Sequence, residues 1–208
     1  MTPTQDQREW PDDLKRCVDF HGHICPGLIY GYRVALEAIG LMDLGRAVDE
    51  EIVAICENDS RAIDALQVLL GTAAGKGNLI IKDYGKNAYT IISRTKRRSF
   101  RFSRTERYAY QGSDQQIYDQ LSGALDKGIA SKEDQTALKQ MKINDLLSRP
   151  FRDIFTTKEM NYVDPLFAPL QPSEPCALCG EMTMTGKMEV LPDGRRVCIP
   201  CRLNLIAV

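Results

Sequence analysis

The spacing of apolar positions changes several times along the chain, and each change marks an element. From Pro26 to Met42, Leu28, Ile29, Tyr32, Ala35, Leu36 and Ile39 recur three or four residues apart, which is one face of a helix. Pro26 suits the first helical position, where no N–H is needed. The apolar run Ile52–Cys56, bounded by charge, predicts a buried strand. Asn58-Asp59-Ser60 offers capping side chains for a helix that carries Ile63, Leu66, Leu69 and Leu70 and ends near Gly71. Strands are predicted at 79–81, 89–92 and 99–102, with Tyr84-Gly85-Lys86-Asn87 turning between the first two. Two more helices follow at 114–127 and 131–147, the second opened by Ser131 with Asp134 three residues on, a variant of the capping box. Pro150 closes that region, and Pro165, Pro169, Pro172 and Pro175 interrupt the next stretch. This order predicts an α+β core over 1–165, with a mixed or antiparallel sheet packed with helices, and a separate module over 172–208.

Composition narrows the function classes. Apolar residues are 43% of 208, enough for a buried core, and a net charge of −1 gives no global field toward nucleic acid or membrane. No apolar run approaches the roughly 20 residues that span a bilayer, so no membrane partner is expected. The polar N-terminus lacks the apolar stretch of a secretory signal, which points to a reducing cytoplasm, where cysteine pairs ligate metals. Positive charge does concentrate locally, at Arg94, Lys96, Arg97, Arg98, Arg101, Arg104 and Arg107, interleaved with Phe100, Phe102 and Tyr108. That pattern suits single-stranded nucleic acid, but the favoured reading is an exposed or edge strand whose charges deter aggregation. Gly71-Thr-Ala-Ala-Gly75-Lys76-Gly77 resembles a phosphate-binding loop only in part. It is one residue short, has Gly77 where Ser or Thr would hold Mg²⁺, and follows a helix rather than a strand, so nucleotide hydrolysis is rejected.

The C-terminal module carries the most specific chemistry. Cys176-Ala-Leu-Cys179 and Cys198-Ile-Pro-Cys201 are separated by 18 residues, and four thiolates so spaced suit one tetrahedral Zn²⁺. A segment this short needs such a staple, because zinc adds on the order of 10 kcal/mol to the folding of a module too small for its own core. Gly180 permits a tight knuckle turn, and Pro192-Asp193-Gly194 predicts a hairpin within 187–197. Cys198 and Cys201 then open a short helix carrying Leu203, Leu205 and Ile206, so that knuckle, hairpin and helix follow in the order of a treble-clef finger. Lys187, Arg195, Arg196 and Arg202 are matched by Glu174, Glu181, Glu189 and Asp193, which favours a structural or protein-contact role over phosphate binding.

A second constellation, His21-Gly-His23-Ile-Cys25-Pro26, holds the only two histidines of the chain. With Cys25 as cap of the helix begun by Pro26, the helix dipole favours its thiolate, for metal binding or for nucleophilic attack. On spacing alone, a hydrogen-bonded core histidine beside an inert thiol is an equal alternative.

Residues 20–33, Phe-His-Gly-His-Ile-Cys-Pro-Gly-Leu-Ile-Tyr-Gly-Tyr-Arg, resemble the opening motif of the FmdE family of formylmethanofuran dehydrogenase proteins. Glu57-Asn-Asp-Ser60, Gly75-Lys-Gly-Asn78 and Lys82-Asp-Tyr-Gly-Lys86 are similar to its later signatures, in the same order, across roughly 14–150. The resemblance implies an α+β core, a homodimer, and a pocket around His21, His23 and Cys25, without implying a demonstrated reaction. Arg61 and Thr72 stand where many members have cysteine, so a site built on those thiols does not carry over, and Cys17 and Cys56 are candidate substitutes.

Three ligands from His21, His23 and Cys25 would leave a metal one position open for water or substrate, and a second metal is therefore expected beside the zinc of the finger. Asp59 or Asp83 is expected to orient the histidines, unless Asp59 only caps its helix, and Lys82 and Lys86 to hold an anionic ligand. The leading expectation is a metal-dependent accessory or enzyme-like protein of one-carbon or molybdenum/tungsten-enzyme metabolism, acting with a partner enzyme. An adaptor docking through its finger is the second reading, and a nucleic-acid binder the third.

Overall fold

Helix α2 (Pro26–Met42) forms over the range its apolar spacing predicts, and Leu28, Ile29, Tyr32, Val34, Ala35 and Ala38 are buried along it. The computed structural model of the chain describes residues 10–104 and 106–204, and its contacts divide the chain into two units, Met1–Phe167 and Ala168–Val208. In the larger unit, α1 (Asp12–His21) precedes α2, β1 (Ile52–Cys56) and α3 (Ala62–Leu70) follow, and then come β2 (Leu79–Ile81), β3 (Ala88–Ser93) and β4 (Arg98–Ser103). Helices α4 (Gln115–Asp126) and α5 (Lys132–Ser148) and strand β5 (Thr156–Met160) complete it. The fold is α+β, and the sheet is mixed, in the order β2-β1-β3-β4-β5 with only β1 and β2 parallel.

Alternate residues of three strands (Ile52, Ala54 and Cys56, Tyr89 and Ile91, Phe100 and Phe102) share one core cluster with α1, α2 and α3. Helices α2 and α3 approach until their backbones nearly touch: a Cβ on Gly31 would lie 1.9 Å from the Ala62 carbonyl oxygen. At the C-terminal end of α5, Arg33 of α2 donates to the carbonyls of Leu146 (2.6 Å), Leu147 (3.0 Å) and Arg149 (2.6 Å), satisfying acceptors that a helix end leaves orphaned. Both bonds of the capping box are present at the other end of α5, Ser131 N–H to Asp134 at 2.9 Å and Asp134 N–H to Ser131 at 3.1 Å.

Three features differ from the sequence reading. The residue at the N-cap of α3 is Arg61, with no side-chain cap bond, and Asp59 is exposed. Asn58 is instead buried, accepting from Ser60 N–H and donating to the Lys86 carbonyl, so it ties the strand-to-helix turn to the loop beyond β2. The turn at 84–87 does not join adjacent strands, because β1 lies between β2 and β3, and the loop wraps the end of β1 through Tyr84 and Lys86 N–H bonds to the Glu57 carbonyl. Finally, β4 is not an edge. Strand β5, exposed along its whole length, covers it, and the basic residues are largely paired: Arg94 with Asp164, Lys96 with Asp43, Arg98 with Glu159 and Arg101 with Glu57.

The smaller unit contains two hairpins, β6 (Ser173–Pro175) with β7 (Met182–Met184) and β8 (Met188–Val190) with β9 (Arg196–Cys198), then a single turn of helix α6 (Ile199–Arg202). Leu203 is exposed, while Leu205 and Ile206 lie outside the described residues.

Candidate metal centres

Helix α1 ends at His21 because Gly22 adopts φ +87° and closes the helix with a 2.8 Å bond to the Val18 carbonyl. Three residues further on, Cys25 caps α2, its Sγ accepting from Leu28 N–H at 3.4 Å. The chain between these two helix ends is therefore short and fixed, and it brings one ligand atom each from His21, His23 and Cys25 within 4.8 Å of one another. The imidazole rings of His21 and His23 are 4.6 Å apart. Cys25 is buried, His21 partly so, and His23 is exposed, so the cluster opens on one side.

Asp64, from the first turn of α3, bonds His21 Nδ1 at 2.6 Å. With the carboxylate accepting at Nδ1–H, the lone pair of Nε2 faces Cys25 Sγ at 3.5 Å. A tetrahedral zinc with bonds of about 2.3 Å to sulfur and about 2.05 Å to nitrogen separates such a pair by about 3.6 Å. The donor set therefore fits a metal of this kind, and a partly buried carboxylate–histidine pair is the usual way a ligating imidazole is oriented. His23 is held below the ordinary histidine pKa, first by partial desolvation and then by Lys139, His21 and Arg61, which favours the neutral ring that can ligate a metal.

The remaining predicted residues lie elsewhere or act otherwise. The partner of His21 is Asp64 rather than Asp59 or Asp83, and Asp83 instead accepts from Gly85 N–H within its own turn. Lys82 and Lys86 are exposed on the loop that follows β2, and both add to the field on Glu57. Cys17 and Cys56 do not join the cluster. Both are fully buried in the core, and burial pushes each thiol up to about 12, so they are packing residues rather than ready ligands. Arg61 and Thr72 sit at opposite ends of α3, about 13 Å or more apart at 1.5 Å per residue, so cysteines there would not share one ion. Only position 61 is at the His/Cys end. Asp64 is the residue that sequence reasoning missed: it is 43 positions from His21, and nothing in the pattern distinguishes it from an acid favouring a helix start. A separate cleft of about 340 Å³, lined by Tyr30, Arg104, Tyr108 and Arg149 among others, includes none of the cluster.

In the smaller unit, Cys176, Cys179, Cys198 and Cys201 place their sulfurs within 4.8 Å of one another, and this four-cysteine cluster can hold a metal. The Cys179 and Cys198 sulfurs are 3.9 Å apart, against about 3.8 Å for two thiolates on a tetrahedral zinc. Gly180, at φ +77°, turns the knuckle, and backbone N–H groups from both cysteine pairs face the sulfur of Cys176, that of Cys198 at 3.3 Å. Those of Cys179 and Cys198 lower the Cys176 thiol to about 6, while desolvation and the neighbouring sulfurs raise Cys201. Backbone donation thus favours the Cys176 thiolate, and the charge of an arriving cation would displace the remaining thiol protons.

A family model described as FmdE, molybdenum formylmethanofuran dehydrogenase operon, matches residues 20–156, a span that runs from the His/Cys motif to the first residue of β5. The chain belongs to the FmdE family. A crystal structure of a tungsten formylmethanofuran dehydrogenase FmdE-like protein from Syntrophus aciditrophicus matches this FmdE-family chain with a TM-score of 0.60 over 100% of both, at 18% identity, which speaks to the fold alone. A curated protein of Archaeoglobus fulgidus, named a probable S-adenosyl-L-methionine-binding protein, is 29% identical over 206 residues. That match covers 94% of this chain and 54% of the relative, so the chain spans about half the length of the curated protein it resembles. Among the described residues, no helix is long and apolar enough to cross a membrane.

Proposed function

We propose that this FmdE-family protein is an accessory or enzyme-like component of one-carbon or molybdenum/tungsten-enzyme metabolism that binds a functional metal through His21, His23 and Cys25. The observation that carries this reading is the convergence of those three ligand atoms at one end of α2, with Asp64 already bonded to His21. Zinc suits the mixed nitrogen–sulfur donor set, and three protein ligands leave room for one more. A metal so held supplies Lewis acidity toward a bound oxygen atom. The protein's own contributions are separate from it: Asp64 orients His21, the Leu28 N–H at the start of α2 holds the Cys25 sulfur in place, and the exposed side of His23 gives access. The four cysteines of the smaller unit hold a second, structural zinc in a treble-clef-like finger, closed to substrate because all four positions are protein sulfur.

The resemblance also supports a homodimer, and α4 leaves Ile117 and Leu125 exposed, with Ile129 just beyond it, as a surface for a second copy. Elemental analysis of the full chain after purification in zinc tests the central reading. Two metals per chain are expected, falling to one in Cys25→Ala. One metal per chain in the unmodified protein would remove the core centre and leave the finger, favouring an adaptor that docks to a partner enzyme.

A further inference from the structure

We infer that the cleft of about 340 Å³ lined by α2, the C-terminal end of α5 and the loop after β4 binds a small phosphomonoester with a hydroxylated body, of sugar-phosphate size. It lies wholly within the larger unit and includes none of the residues of either metal centre, so it stands or falls apart from the metal reading. Its volume is near the lower end of the range of about 300–1,000 Å³ for small-molecule pockets, which gives room for more than a bare phosphate ion but not for a dinucleotide.

Four arginines from three segments line this cleft: Arg104 and Arg107 beyond β4, Arg149 at the C-cap of α5 and Arg152 in the turn that follows. Arg149 is built in rather than displayed. Its side chain is 9% exposed and is held by Asp145, itself 2% exposed. Nε donates to the carboxylate at 3.0 Å, and Nη2 donates to the same carboxylate and to the Ala109 carbonyl. The Tyr108 hydroxyl and the Gln111 N–H also donate to Asp145, so the buried acid is fully engaged and ties the loop to α5. Among the described residues, Nη1 of Arg149 and the hydroxyl of Tyr30 make no hydrogen bond. The one sealed-off polar side-chain atom without a partner among those residues is Thr72 Oγ1, so these two donors are open to solvent where their residues line the cleft. A guanidinium nitrogen on a side chain so nearly buried, left without an acceptor, is a donor that a ligand can use.

The other cations are available too. Arg104 lies 4.2 Å over the Tyr30 ring and makes only a long bond, 3.4 Å, to the Glu106 carbonyl. Such stacking fixes the plane of the guanidinium and leaves its N–H edge free. Arg107 has no bonded partner among the described residues, and Arg152 lies 3.9 Å from Asp153 at the exposed rim. Guanidinium groups from several segments match the tetrahedral oxygens and double charge of a phosphomonoester, whereas a carboxylate offers two coplanar oxygens and one charge. Glu106, Gln111 and Asp153 share the cleft and supply acceptors for the hydroxyls of a polar body.

The test is calorimetric titration of the full-length, zinc-loaded protein with ribose 5-phosphate, against ribose, inorganic phosphate and succinate at matched ionic strength. Ribose 5-phosphate is expected to bind more tightly than each of these, and to weaken by about ten-fold or more in Arg104→Ala and in Arg107→Ala. Arg107 makes no internal bond, so its removal leaves the fold intact. Tyr30→Phe, which keeps the ring under Arg104, should weaken binding by less, and Cys25→Ala should leave it unchanged. No binding of ribose 5-phosphate, or affinity unchanged in both arginine variants, would overturn the site. Succinate binding as tightly would overturn the phosphate assignment, and inorganic phosphate binding as tightly would overturn the hydroxylated body. Loss of binding in Cys25→Ala would move the ligand to the His/Cys centre and overturn the cleft as its seat.

Discussion

Asp64 does its work through a single atom. Its Oδ2 fixes the His21 ring and so decides which nitrogen faces Cys25. Replacing the carboxylate by an amide keeps the volume but removes the charge that makes the imidazole a stronger ligand. Asp64→Asn is therefore expected to weaken the core metal by about 10–100-fold while leaving the finger metal in place, as read by competition with a chelator. Glu57 is a second residue whose charge matters, and it acts on stability. Arg101 bonds both of its oxygens, one at 2.9 Å, and this pairing holds the carboxyl below the ordinary glutamate value against the opposing effect of burial. A carboxylate with a depressed folded pKa contributes stability that is fully present above its unfolded value, about 4.3, and is lost as pH falls through the folded one. Glu57→Gln should cost about 1–3 kcal/mol at pH 7 in denaturant melts, and the difference from the unmodified protein should shrink as pH is lowered from about 5 to about 3. A difference that grows on acidification would contradict the pairing.

At the scale of elements, the two helices that carry the centre are legible in the sequence to different degrees. Helix α2 is readable because Pro26, the capping thiol and the three-to-four spacing of apolar residues all give the same bounds. Helix α1 buries only Leu14 and Cys17 among its ten residues, too few to set a period, and so it leaves no pattern that places His21 on a helix. Strand β5 is exposed throughout and alternates nothing, which is why the sequence puts the edge of the sheet at β4. The His21–Asp64 pair joins α1 to α3, which is itself seated against α2, a tertiary arrangement that no local pattern contains. Gly31 sets how closely α3 seats on α2. Because a Cβ there would overlap the Ala62 carbonyl, Gly31→Ala must push α3 away, at a cost of about 1–3 kcal/mol or more in chemical denaturation. Loss of core-metal affinity should accompany it, whereas Gly40→Ala, on the same helix with open space around it, should leave both unchanged.

Across the whole molecule, the chemistry gathers at one centre in each of its two units. The four cysteines are recognisable from spacing alone, since two short pairs in a segment without its own core have few other uses. The His/Cys cluster is recognisable as a motif, but its orientation by Asp64 becomes visible only in three dimensions. The basic run around β4 shows the converse, because four of its seven positive residues, Arg94, Lys96, Arg98 and Arg101, become ion-paired once Glu57, β5 and the loops at 43 and 164 fold against them. The account stands on the core centre. Anomalous diffraction at the zinc edge from crystals of the full chain tests it most directly. Two peaks per chain are predicted, one among the sulfurs of Cys176, Cys179, Cys198 and Cys201 and one bounded by His21 Nε2, His23 and Cys25 Sγ. A single peak confined to the four cysteines, from protein crystallised with zinc in excess, would contradict it.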